Sequence, residues 1–160
     1  MSPFPPFRIL DLSPFPLLSP FPLSAVGKGS LSAELQDLWI RGEFELVTSI
    51  EIMKEVSRVL YYPRIQQRFK PKEETLRRFF RLVFRKAIIT EGIYQTDRIT
   101  EDPTDNKFLA CAMEGEADFI VSRDSHLRNL KRFQGIEIVD VKTFVERVKK
   151  GNSRKGGILR

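Results

Sequence analysis

Histidine and cysteine are almost missing from this 160-residue chain, with His126 and Cys111 the single examples of each. One cysteine excludes an internal disulfide, and no zinc-ligand spacing is present, so a reducing compartment is expected. One histidine leaves little material for a Ser-His-Asp triad or a pair of imidazole catalysts, and packing or capping is its expected role. A glycine-rich phosphate loop is lacking too. Gly27-Lys28-Gly29-Ser30 does not have the Gly-x-x-x-x-Gly-Lys spacing, and no apolar strand precedes it. No run approaches the roughly eighteen apolar residues of a membrane span, and prolines interrupt the apolar N-terminus too often for a signal-peptide helix. The expectation is a soluble, unexported, cytoplasmic protein without a membrane partner.

Acids are in modest deficit, 21 against 27 Lys and Arg, for a net charge of +6. The excess favours an anionic partner without naming one. It is local, because Arg147, Lys149, Lys150, Arg154, Lys155 and Arg160 fall in the last fourteen residues with no acid among them. Residues 149–160 therefore read as a basic tail, disordered and solubilising, in preference to a phosphate-binding arm.

Residues 1–24 differ from all that follows. They hold seven of the ten prolines and repeat Ser-Pro-Phe-Pro at 2–5, 13–16 and 19–22. Proline fixes φ and removes a backbone donor, so most of this low-complexity stretch is expected to be extended or disordered. Phe7 to Leu12 alone escapes that restriction, and Arg8-Ile9-Leu10-Asp11 could form a short strand. The remaining chain reads as one domain over 25–148.

From Ser30 the apolar spacing becomes regular. Leu31, Leu35, Leu38 and Trp39 mark a helix ended by Gly42, a strand follows at Phe44 to Val47, and Ser49 can cap the next helix. That helix carries Ile52, Val56, Val59 and Leu60 and stops near Tyr62, before Pro63. A third helix between Lys72 and Lys86 shows Leu76, Phe79, Phe80, Val83 and Phe84, with its arginines on a solvated face. Further on, Asp102-Pro103-Thr104-Asp105 opens a helix through Phe108, Leu109, Cys111 and Ala112, which Gly115 closes. An apolar strand at Asp118 to Val121, a short helix near His126 to Leu130, a strand at Ile136 to Val139 and a helix from Val141 to Val148 complete the pattern. Alternating helices and buried strands predict an α/β fold, a three-layer α/β/α sandwich around a mostly parallel sheet.

In such a sheet, ligands bind outside the carboxyl ends of the strands. Asp124 comes three residues after Val121, and Asp102 and Asp105 bracket a helix start. Each of these alone serves equally well as a turn residue, a cap or a dipole partner. Their coincidence with Glu55, also near a helix start, carries more weight. Carboxylates repel when gathered unless a hard cation such as Mg²⁺ or Mn²⁺ neutralises them. Phosphodiester hydrolysis at such a site needs no Ser, Cys or His nucleophile.

The run from Asp102 to Ala112, with Gly115, Ala117-Asp118-Phe119-Ile120-Val121-Ser122 and Arg123-Asp124-Ser125-His126-Leu127, closely resembles the C-terminal half of PIN domains. Leu38 to Ser49, with Glu55 and Val59-Leu60, looks like that family's second strand and following helix. The resemblance spans about residues 24 to 146. It implies a Mg²⁺- or Mn²⁺-dependent ribonuclease acting on RNA, with Glu55, Asp105 and Asp124 as catalytic metal ligands and Asp102, Asn106 and Ser122 supporting them. It also implies a toxin–antitoxin setting, with an antitoxin protein and a homodimer as partners. One departure stands out: the family's first acid ends its first strand, and counting back from Ser24-Ala25-Val26-Gly27 reaches Leu18, among prolines. The first central strand is therefore expected to be degraded. Asp11 could replace the missing acid only if the prolines loop out, and a shifted reading frame or a wrongly chosen start, leaving 25 onward genuine, is favoured over a real replacement in a degenerate member. The alternative function is an inactive module that binds nucleic acid or an antitoxin.

Overall fold

The computed structural model describes residues 7–11, 31–93, 106–122 and 125–158. Six strands form one sheet: β1 (Phe7–Asp11), β2 (Phe44–Ser49), β3 (Ile88–Thr90), β4 (Phe119–Val121), β5 (Arg132–Phe133) and β6 (Ile136–Val139). The helices are α1 (Leu31–Ile40), α2 (Ile50–Leu60), α3 (Pro63–Phe69), α4 (Glu73–Lys86), α5 (Asn106–Glu114), α6 (Ser125–Leu130) and α7 (Val141–Ile158). Strand order is β3-β2-β1-β4-β6-β5, and every pairing is parallel except that of the short edge strand β5 with β6.

β1 corrects the expectation of a degraded first strand. It lies between β2 and β4, with Phe7 opposite Phe44 on one side and Asp11 opposite Val121 on the other. The prolines of residues 1–24 flank this strand without entering it, so its donors are intact. Ile9 and Leu10 are almost wholly buried, at 0% and 1% exposure. Residues 7–11 thus contribute the middle of the sheet.

Alternation along the strands divides the interior in two. Ile9, Leu46, Phe119 and Val121 share one core with Leu35, Trp39, Leu76, Val83, Phe144 and Val148, so α1, α2, α4 and α7 cover that face. Leu10, Val47, Ile120 and Ile138 point the other way and pack with Leu109, Ala112 and Leu127 of α5 and α6. The three-layer sandwich is present.

Local chemistry explains most element ends. Gly42 has φ +78°, a left-handed conformation that favours glycine, just beyond α1. Lys86 Nζ donates to the carbonyls of Trp39 (2.9 Å) and Ile40 (3.1 Å), satisfying the end of α1 from the end of α4. Ser49 Oγ accepts from Ile52 N at 3.2 Å and caps α2. Pro63, expected to stop α2, also starts α3, where its missing donor costs nothing. Gly115 closes α5 by close approach rather than by a left-handed turn. The left-handed residue is Glu116, at φ 52°, whereas a Cβ on Gly115 would overlap Val47 Cγ1.

Two further expectations are corrected. The basic end continues as helix, since α7 runs to Ile158 rather than stopping at Val148; it contains no proline, and Lys149 Nζ pairs with Glu34 of α1 at 2.6 Å. The apolar stripe of α4 is narrower than its sequence suggests. Leu76, Phe79 and Val83 are buried, Phe80 is half-buried, and Phe84 is exposed.

Candidate functional site

Strand order reverses between β1 and β4, the point in an open parallel sheet where the carboxyl ends leave a crevice. The buried polar residues concentrate at that edge. Among the described residues they are Asp11, Thr48, Ser49, Thr90 and Ser122, all no more than 7% exposed. Each lies at the carboxyl end of β1, β2, β3 or β4 or just beyond it. Burial of polar groups is costly, so their concentration on one edge needs a cause.

Two of the five have local structural roles. Ser49 caps α2, and Thr90 Oγ1 lies 3.4 Å from Cys111 Sγ. Burial pushes the Cys111 thiol up from its ordinary value, against a smaller opposing effect of hydrogen bonds from Thr90 and Ser49. At 3% exposure that thiol is an inert core group, consistent with chemistry that uses no cysteine nucleophile.

Asp11 is the carboxylate that counting along the sequence passes over. It ends the central strand at 4% exposure, opposite Val121, and Ser122 follows Val121 at 1% exposure. Ser122 N donates to Val139 O at 3.0 Å, extending the ladder and fixing the residue beside β6. Extending the β1–β2 register from Ile9↔Leu46 by two residues sets Thr48 opposite Asp11. Thr48 Oγ1 is buried without a hydrogen-bond partner. The signal present in the sequence is Arg8-Ile9-Leu10-Asp11 itself, an apolar pair ended by an acid.

Glu55 lies in the second turn of α2, past its Ser49 cap. Lys107 Nζ, on the second residue of α5, is 2.5 Å from Glu55 Oε2, and the side chains are 24% and 38% exposed. This is an ion-pair contact without hydrogen-bond angles, for Oε2 is buried and has no hydrogen-bond partner. Asn106, expected to support the acids, begins α5 beside Lys107.

Asp102, Asp105 and Asp124 lie outside the described residues, as do Leu18 and Ser24 to Gly27. Asp105 directly precedes Asn106 in sequence, and Asp124 directly precedes Ser125, the first residue of α6. Among the described residues, no three His, Cys, Asp or Glu side chains are grouped so as to hold a metal ion. Asp11, Glu55, Ser122 and Asn106 carry oxygen donors, the type taken by a hard cation in preference to a soft one. A covered carboxylate oxygen with a cation already beside it also fits positive charge.

A family model described as PIN domain matches residues 21–126, which is 106 of the 160 residues. Neither a curated protein nor a solved structure gives a significant match. The family match begins ten positions after β1 ends, so Asp11 is identified by its place in the sheet. The matched segment carries β2, β3 and β4 with their intervening helices, arranged around that upstream strand in a mostly parallel sheet. This chain belongs to the PIN-domain family, whose members are generally nucleases.

Proposed function

We propose that the protein is a Mg²⁺- or Mn²⁺-dependent endoribonuclease, with Asp11, Glu55, Asp105 and Asp124 as its working acids. The observation that carries this reading is Asp11, a buried carboxylate at the end of the central strand where the strand order reverses. A missing first acid would be the main reason to suspect an inactive domain. With Asp11 in that place, the chain has four candidate acids distributed over β1, α2 and the sequences entering α5 and α6.

The work of these side chains follows from their surroundings. Asp11 is held by a strand paired on both sides, so its carboxylate is presented without much loss of freedom on binding. Ser122, fixed by its backbone bond to Val139, offers a hydroxyl close to the end of the same strand pair. Glu55 projects from a capped helix and can approach from the side. A bound divalent ion supplies Lewis-acid stabilisation for charge developing on the scissile phosphate. The acids orient the attacking water, and Asp102 and Asn106 help hold the acids in line.

RNA as substrate is supported by the family and by the net charge of +6. A toxin role, an antitoxin partner and a homodimer belong to the same proposal, supported by the resemblance alone. The test is cleavage of a labelled RNA by the purified protein with Mn²⁺ or Mg²⁺. Cleavage should disappear with EDTA and in Asp11→Asn, Asp105→Asn and Asp124→Asn; cleavage that survives EDTA overturns the mechanism. RNA binding without cleavage under every metal condition would instead favour the inactive binding module.

A further inference from the structure

Lys107 is poorly placed for the helix that carries it. It occupies the first turn of α5, which contains no acid, and the partial positive charge of a helix N-terminus disfavours a cation there. Its ammonium is nevertheless held from two directions. Glu55 Oε2 lies 2.5 Å away, and the Phe108 ring centroid lies 5.3 Å from it. At 24% exposure it is the least exposed cation in any ion pair among the described residues. The outward pairs on α4 differ, with Arg77 and Arg78 both more than 70% exposed. The pair joins α2 to α5, and the oxygen it covers is buried.

We propose that Lys107 is a resident counterion: it neutralises Glu55 in the metal-free protein and competes with a divalent cation for that carboxylate. This rests on the nuclease reading, in which Glu55 is a metal ligand. Lys107 holds Oε2, so a divalent ion taken by the same carboxylate, on Oε1 or on both oxygens, lies within a few ångströms of the ammonium, and the two cations repel across a site of reduced dielectric. Weakening the pair, or bearing that repulsion, is therefore a cost contained in every metal-binding event. Lys107 lowers the affinity of the site while keeping the carboxylates from repelling one another when no metal is present. It is a positioning residue that sets the metal concentration at which the site fills.

The direction of the effect separates this role from ordinary packing. Losing a lysine that only braces α5 against α2 would weaken metal binding or leave it alone. Losing a competing cation strengthens it. Mn²⁺ binding to the full-length protein is measured by titration calorimetry for wild type, Lys107→Met, Lys107→Gln and Lys107→Arg, with thermal melting to verify folding. Lys107→Met keeps most of the side chain's apolar length and removes the charge. Its Kd for Mn²⁺ should fall by about tenfold, the scale typical of groups that tune a metal site from outside it. Lys107→Gln should move the same way, and Lys107→Arg should stay close to wild type. In a Glu55→Gln background the Lys107→Met effect should vanish, which assigns it to the pair. If wild type binds Mn²⁺ and neither charge-removing variant binds it more tightly, Lys107 is not a competitor and the nuclease reading stands. If no protein in the series binds Mn²⁺, the metal-dependent reading and this proposal fail together.

Discussion

At the amino ends of the strands, charges are numerous, partly exposed and paired. Arg8 bonds Glu45 across the β1–β2 pair at 3.1 Å, reaches Glu116 at 3.6 Å, and its backbone N donates to Asp118 Oδ2 at 2.8 Å. Glu137 sits between Arg147 at 2.7 Å and Arg132 at 3.7 Å. At the carboxyl ends of the same strands, Asp11, Thr48 and Ser122 are buried, and Glu55, on the helix that follows β2, has a lysine drawn into a half-buried contact. Pairs of the first kind are screened by water and contribute little each. Groups of the second kind are costly to bury, and their surroundings must offset that cost. The contrast between the two edges, more than any single acid, is what supports the proposed site.

Neutralising one acid on each edge tests that contrast most directly. Asp11→Asn should reduce metal-dependent RNA cleavage by about 100-fold or more, given that even supporting groups cost roughly 10- to 100-fold. Glu45→Gln should leave cleavage within about twofold, because its partner Arg8 is solvated. Equal losses in the two would remove the distinction. Next in size is the strand both edges share. Ile9→Ala should destabilise the protein by about 2–5 kcal/mol in urea unfolding, as expected for a fully buried side chain in a close-packed core. A surface-like cost below about 0.5 kcal/mol would mean that β1 is not central.

Gly115→Ala probes the junction where α5 descends to the amino edge. Its new methyl meets Val47 Cγ1, which is fully buried, so overpacking should cost about 1–3 kcal/mol in the same measurement. Asp140 sharpens the comparison from the carboxyl edge, as an acid there with a purely structural partner. Its Oδ1 accepts from Thr143 N at 2.7 Å, and the hydrogen bonds from Thr143 hold its carboxyl below the ordinary value of 3.8. The folded value is depressed, so its contribution is fully present above the unfolded value and is lost as pH falls through the folded one. Asp140→Ala should cost about 1 kcal/mol at neutral pH and less in acid, while Asp140→Asn should keep the cap without that pH dependence. Glu45→Gln completes the series, with a stability change of about 0–1 kcal/mol.

Much of the fold is legible in residue spacing. Leu35, Leu38 and Trp39 in α1, and Leu76, Phe79 and Val83 in α4, repeat at helical intervals and are buried as those intervals imply. β4 and β6 stand out as apolar runs between turns. β3 and β5 do not, having three and two residues, too few for a periodicity to register. α3 is hidden because Pro63 reads as a stop, although proline is equally at home in a helix's first turn.

At the candidate site the division is sharper. Glu55 can be named from its helix and from the family resemblance, as can Asp105 and Asp124. Asp11 emerges only as a remote substitute, because a fixed count back from Ser24 leads to Leu18 and the prolines mask a five-residue strand. Lys107 looks like any polar residue at the start of a helix.

The sequence by itself determined the helical stripes, the capping residues, the supply of oxygen ligands and the family, because each is written in nearest-neighbour spacing or residue type. Only the tertiary structure decided which strand is central, that Asp11 ends it, that Gly115 must clear Val47, and that Lys107 meets Glu55. The physical reason is distance along the chain. Ile9 pairs with Phe119 across 110 positions, and parallel pairing of that kind leaves no local periodicity from which it could be read.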